Sequence, residues 1–280
     1  MKAASSLPGA AIAVLFLLSA PAMGQSLAPP SLDEEMWRFS ITPYLFLPVT
    51  TTGTSTVAGQ DVDLDLNLVD VVKVLNGAVS GRVEAWRGDI GLAVEGSFVA
   101  LGDDASIGLS GSGSGHVDVD VRIRQAYVDL LGGYRVLNRT YGESDRRYAI
   151  EAFAGARYNS LTQDIAVNGN AHLGPGLDFQ RNLGGTEGWW EPVIGVRGLV
   201  QLSARWTGAV LADFGGFGVN GDDLQWKVRA GVDYRPWAQT SIRFGWQFYG
   251  IDYATNRSDG TFAYDVFQTG PYLALTYQFQ

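Results

Sequence analysis

The stretch Leu224-Gln225-Trp226-Lys227-Val228-Arg229-Ala230-Gly231-Val232-Asp233-Tyr234-Arg235 decides the fold. Leu224, Trp226, Val228, Ala230, Val232 and Tyr234 form one series. Gln225, Lys227, Arg229, Gly231, Asp233 and Arg235 form the other. Successive side chains of a strand point to opposite faces, so this is a β-strand with one apolar and one charged face. After a tight turn at Pro236-Trp237-Ala238-Gln239 the pattern repeats. Ile242, Phe244, Trp246 and Phe248 alternate with Ser241, Arg243, Gly245 and Gln247.

Further strands follow from the same period over roughly 37–49, 77–87, 89–101, 116–137, 147–168, 188–203, 206–214 and 262–279. Within 116–137 the apolar phase changes from Val117, Val119, Val121 and Ile123 to Ala126, Val128, Leu130 and Tyr134. That slip predicts a β-bulge near Arg124 and Gln125. Short connections alternate with long ones. The short ones lie near 87–88, 138–146, 203–205 and 236–239. The long ones lie near 102–115, 169–187, 215–223 and 253–261 and are rich in Gly, Asn, Asp and Ser. Membrane barrels have this asymmetry, with short turns at one end and long loops at the other. Residues 50–76 read as an excursion holding a small hairpin (Gly53 to Leu66) and one or two helical turns (Leu68 to Leu75). Strand parity then gives ten strands, with twelve or eight as alternatives. The fold expected is all-β, a closed antiparallel transmembrane barrel over 37–280 with a helical excursion near 67–76.

Composition agrees. The 280 residues include 36 Gly, 8 Trp, 12 Tyr, 13 Phe and no Cys, with 46% apolar and 18% charged residues. Aromatics at 12% exclude the disordered class. Acids outnumber bases 29 to 20, which argues against a nucleic-acid partner. The N-terminus carries Lys2, an apolar run from Ala10 to Ala20, and small residues at Ala20, Ala22 and Gly24. These mark 1–24 as a cleaved signal peptide, with an uncleaved anchor as the alternative. Residues 25–36 then form an N-terminal periplasmic segment. An exported chain without Cys needs cohesion other than disulfides, and a closed sheet supplies it.

Three features favour a membrane barrel over a soluble sandwich. Tyr148 with Tyr158, and Trp226 with Tyr234, lie ten and eight residues apart on one face. That is roughly 20–25 Å along the membrane normal, an aromatic girdle at each edge of the lipid band. Leu273, Leu275, Tyr277 and Phe279 alternate up to the C-terminus and resemble the signal read by barrel-assembly machinery, although Gln280 follows the last aromatic. Arg38, Arg82, Glu84, Glu95, Glu151, Glu191, Arg197, Lys227, Arg229, Asp233 and Arg243 all fall on the polar faces. In a barrel they point into the lumen, which ten strands leave narrow enough for side chains to fill. The expected partners are outer-membrane lipid and, during biogenesis, the assembly machinery.

The segment Trp37-x-x-x-Ile41-Thr42-Pro43-Tyr44-Leu45-Phe46 resembles the opening strand of a little-characterised family of proteobacterial outer-membrane β-barrel proteins. Trp190-Glu191-Pro192-Val193-Ile194-Gly195-Val196-Arg197 is similar to a later motif of that family, in which the second residue is more often Asp. Asp213-Phe214-Gly215-Gly216-Phe217-Gly218, followed by Trp226, resembles a third. The resemblance implies location and fold, and no reaction.

Candidate chemistry is sparse. His116 and His172 are the two histidines. Asp118, Asp120, Asp164 and Asp178 are near them in sequence, with no spacing that fixes a dyad. Asp61-x-Asp63-x-Asp65 lacks the glycine and terminal Glu of a calcium loop and reads as a strand with one acidic face. Gly108 to Gly115 lacks the Lys of a phosphate loop. Arg87-Gly88-Asp89 falls in a predicted turn, and Trp189 and Trp190 read as girdle or packing residues before a ligand platform. No catalytic residue, metal or cofactor is expected. Three functions compete: a plugged barrel with a structural or small-solute role, a passive channel or transporter for small solutes, and a rim enzyme acting on lipid or peptide.

Overall fold

The computed structural model describes residues 36–109, 115–171 and 177–279. The signal-peptide reading and nearly all of the 25–36 segment lie outside them. Twelve strands and one helix follow in order: β1 (Arg38–Phe46), β2 (Thr50–Val57), β3 (Gln60–Asn67), α1 (Leu68–Val74), β4 (Leu75–Arg87), β5 (Ile90–Leu109), β6 (Gly115–Tyr141), β7 (Arg146–Ala171), β8 (Leu177–Gln201), β9 (Trp206–Val219), β10 (Asp222–Tyr234), β11 (Thr240–Arg257) and β12 (Gly260–Phe279). Strands β4 to β12 pair in sequence order, all antiparallel. β1 closes the cylinder by pairing with β4 through Ser40↔Glu84 and with β12 through Ile41↔Tyr277. The result is a ten-stranded closed antiparallel barrel with two extra strands, β2 and β3.

The extra hairpin extends the wall at one end. β12 pairs its C-terminal half with β1 and its N-terminal half with β2, from Thr269↔Thr50 to Ala263↔Thr56. Leu47 N and Val49 N bridge the kink by donating to Pro271 O (3.1 Å) and Thr269 O (2.8 Å). Gly270 permits that approach, since a Cβ there would lie 2.0 Å from Leu47 O. β3 pairs with β2, but the last β1 partner of β4 is Ser80. A seam is therefore left between β3 and the start of β4. Helix α1 follows β3 at this seam, with Val71 buried. Asn67 caps α1 by accepting from Val69 N (2.8 Å) and Asp70 N (3.2 Å), and Asp70 returns a bond to Asn67 N. Asn67→Ala is expected to cost the helix about 1 kcal/mol and to speed tryptic cleavage after Lys73.

The short connections come out as turns at 88–89, 142–145, 202–205 and 235–239. The long ones differ from expectation. β6, β7 and β8 have 27, 26 and 25 residues, so the Gly- and Asp-rich stretches are hairpin arms that stay paired. A bilayer needs only about ten residues per strand, so these arms rise well beyond it. The expected bulge at Arg124 and Gln125 is absent, as Ala100↔Arg124 and Val99↔Gln125 run on without a shift. Ile123 sits instead on the inward face, against the cluster of Leu161, Trp189, Tyr249 and Phe262. The phase changes because the tall end of the barrel has an apolar interior. The bulge on this strand falls at Val136, between the pairs Arg135↔Glu151 and Leu137↔Ile150.

Candidate functional site: the charged lumen

Each strand turns its two series to different surroundings. Leu92, Leu130, Ile194, Val210, Phe244 and Leu273 are 46–59% exposed on the outside. A soluble monomer does not ring itself with apolar surface of that extent. Among the described residues, the buried ionic layer inside takes in Glu84, Glu95, Asp129, Glu151, Glu191, Asp213, Asp222 and Asp233, and Arg82, Arg135, Arg157, Arg197, Lys227, Arg229 and Arg243. Only Arg197 and Arg243 among them have side chains more than a tenth exposed.

Strand register builds most of the pairing. Arg82 stands opposite Glu95, Asp129 opposite Arg157, Arg157 opposite Glu191, Glu151 opposite Arg197, Asp213 opposite Lys227, and Asp233 opposite Arg243. Glu95 and Asp129 are a like-charge pair directly across β5 and β6, an arrangement that normally destabilises a sheet. The far wall resolves it. Lys227 Nζ, from β10, lies 2.9 Å from Glu95 Oε1 and 3.6 Å from Asp129 Oδ2. Arg229, also from β10, donates to Glu95 as well. Counting around the ten-strand ring, β5 and β10 are five apart, so these side chains cross the full lumen.

Arg157 is fully buried and draws together Asp129 (2.5 Å), Asp213 (2.7 Å) and Glu191 (3.4 Å). Toward the short turns, Arg197 joins Glu84 (2.6 Å) and Glu151 (2.6 Å), and Arg135 adds a contact to Glu151 at 3.1 Å. Arg82 links the two groups by donating to both Glu84 and Glu95. Aromatic rings insulate the network. Arg135 and Arg197 lie 4.9 and 5.8 Å from the Trp86 ring, and Lys227 lies 4.6 Å from that of Tyr127. Tyr44 Oη donates to Glu95 at 2.8 Å and lies 3.0 Å from Tyr127 Oη.

Arg38, the remaining predicted lumen charge, is half-buried opposite Trp86. Sequence reading left Asp129, Arg135, Arg157, Asp213 and Asp222 out of the lumen set. The alternation already places the first three opposite Leu130, Tyr134 and Tyr158, so the period-two rule carried one residue further finds them. Tyr148, Tyr158, Trp226 and Tyr234 lie on the outer surface, where Tyr158 packs on Trp190 (5.2 Å between ring centres) and Tyr234 on Trp206 (4.8 Å). Leu273, Leu275, Tyr277 and Phe279 share that surface on β12, while Tyr272, Ala274 and Thr276 are buried inside. Trp189 and Trp190 part company: Trp190 faces out, and Trp189 is buried, stacked 3.7 Å from Tyr253 and bonded to Asp222 at 2.9 Å.

Asp61 and Asp63 lie on β3 opposite Thr56 and Thr54, which donate to them at 2.8 and 3.5 Å. Among the described residues no group of three or more potential metal ligands forms. His172 lies outside the described residues, and His116 is placed only by its backbone, on β6 opposite Asn170. Beyond the last outward ring of β11, Asp252 stands opposite Asp265. Partial burial, and then the carboxylates of Asp265, Asp223 and Asp222, hold its carboxyl above the usual range. Falling pH therefore relieves repulsion at the tall end.

The closed sheet, the apolar exterior and the ionic interior define a transmembrane β-barrel. No family model and no curated protein matches the chain. Among solved structures it is similar to the outer-membrane protease OmpT from Escherichia coli, at 12% identity and TM-score 0.48, covering 90% of this chain and all of that one. It is also similar to the translocator domain of the autotransporter NalP from Neisseria meningitidis, at 14% identity and TM-score 0.42, covering 87% and 88% of the two chains. A FadL homologue from Pseudomonas aeruginosa matches at 9% identity and TM-score 0.29, over 92% and 97%. The class rests on the chain's own pairing and facing.

Proposed function

We propose that the protein is an integral outer-membrane barrel whose lumen is plugged, so that it serves a structural or small-solute role and is not an open pore. In this reading 1–24 is the export signal, the short turns lie in the periplasm and the tall hairpins outside the cell. The outward tyrosines and tryptophans meet the two lipid interfaces, and the C-terminal alternation of β12 is read by the assembly machinery.

One observation carries the reading: Lys227 and Arg229 of β10 reach Glu95 on the opposite wall. Charges lining a water-filled channel keep their hydration, and these have exchanged it for one another. Clusters of buried side chains flank the network on both sides. Trp86, Leu131 and Phe153 form one cluster, and Trp189, Tyr249, Phe262 and Tyr264 belong to the other.

Planar-bilayer recording tests the plug. The expected result is no stable current from the purified barrel, and channels of nanosiemens conductance would overturn it. Substituting Arg157 and Lys227 together with alanine is expected to open ion flux, if the variant is recovered folded.

A further inference from the structure

Above the ionic layer, on its tall side, lies a cavity that opens to solvent. Its floor is Tyr44, Tyr127 and Tyr249; its walls include Val99, Leu101 and Ile123; and at the seam between β3 and β4, α1 contributes Val71 and Val72 and the start of β4 contributes Leu75. Among the described residues, no Asp, Glu, Lys or Arg lines it.

Two lining groups lack partners. Thr51 Oγ1 and Gln247 Oε1 are buried, at 3% and 5% residue exposure, and neither is hydrogen-bonded. They stand on β2 and β11, either side of β12, where their partners are Gln268 and Gly270. A buried polar atom left without a partner costs free energy, and these two both line the cavity, where a bound molecule can supply the bond that the protein does not.

We infer that this cavity is a binding site for a small neutral molecule with an apolar body and a hydroxyl group. The apolar walls take the body. The hydroxyl donates to Gln247 Oε1, and Thr51 offers a second contact. A charged ligand is disfavoured, since the cavity holds no counter-ion to offset its desolvation. The seam beside α1 is the entry. The inference deepens the small-solute reading and rests on the plug only for its floor.

The chain has no cysteine, so single thiols report occupancy cleanly. Val99→Cys places one in the cavity wall, and Ser144→Cys places a control in the turn at 142–145. Alkylation by N-ethylmaleimide is followed in lipid vesicles, with 1-hexanol or 1-chlorohexane at matched membrane content. 1-Hexanol is expected to slow labelling at position 99 by about tenfold, and 1-chlorohexane by less than about twofold. A site built to bond a hydroxyl discriminates against the analogue lacking it. Labelling at position 144 is expected to be unchanged by either. Adding Gln247→Leu and Thr51→Val, both of which avoid the ionic network, is expected to erase the difference while the barrel still folds, as judged by its gel mobility without boiling. No protection by 1-hexanol, equal protection by both compounds, or a difference that survives the double substitution would each overturn the site. Any of these in a barrel that passes no current leaves the plug standing, and current with selective protection would refute the plug alone.

Discussion

Glu95→Gln is expected to destabilise the barrel by about 3–5 kcal/mol, the cost of removing one partner from a buried ionic cluster. Glu95 is completely buried, and Arg82, Lys227 and Arg229 all converge on it. The amide keeps the shape and removes the charge, leaving three cations to share what remains. Urea titration of the barrel refolded in lipid vesicles, read by gel mobility, measures the loss. A second substitution separates charge from packing. Lys227→Met in the Glu95→Gln background removes one of the stranded cations and is expected to recover part of the stability. Glu95→Gln and Lys227→Met should therefore be strongly non-additive. A cost for Glu95→Gln below about 1 kcal/mol would show that the lumen is hydrated and the plug an illusion of packing. The network does not make the barrel exceptionally stable, since desolvation offsets most of the Coulombic gain. What it does is make each member indispensable once the others are in place.

The fold was legible because lipid enforces the alternation. Where β10 crosses the bilayer, Trp226 to Tyr234 cannot break step without placing a charge in hydrocarbon, and the predicted strand at 224–235 matches the observed one at 222–234. The hairpin and helix within 50–76 were legible for local reasons, a Gly-centred turn and the helical spacing of Val71, Val72 and Leu75. Outside the lipid the constraint lapses. Residues 102–109 stay paired as strand, yet they are rich in Gly and Asp, because backbone pairing there does not need one greasy face. Sequence periodicity fails there for that reason, and this arm reads as part of a loop, whereas its partner from 116 keeps the alternation of Val117, Val119, Val121 and Ile123 and reads as strand. The lumen was legible as a set of residues but not as a network. Lys227 and Glu95 are 132 positions apart, and only the closure of ten strands sets β10 across from β5. The cavity under α1 could not be read at all, because Thr51 and Gln247 gain meaning only when β12 lies between them.

Val210→Arg is expected to cost about 2–4 kcal/mol in lipid vesicles, the range for a basic residue at the bilayer midplane on the outer face of a barrel. Val210 lies on β9 midway between Trp206 and Phe214, points outward and is 51% exposed. Its strand neighbours are Gly198 on β8 and Ala230 on β10, so an arginine side chain has room and the cost is not steric. What it loses is hydration, since no water waits at that depth. The same change at Ser203, in the turn between β8 and β9, is expected to cost less than about 0.5 kcal/mol. In a soluble β-protein both substitutions would be surface changes of the same small size. The difference between the two positions therefore measures the depth of lipid around the barrel. Equal effects at Val210 and Ser203 would mean that the exposed apolar ring faces something other than a membrane.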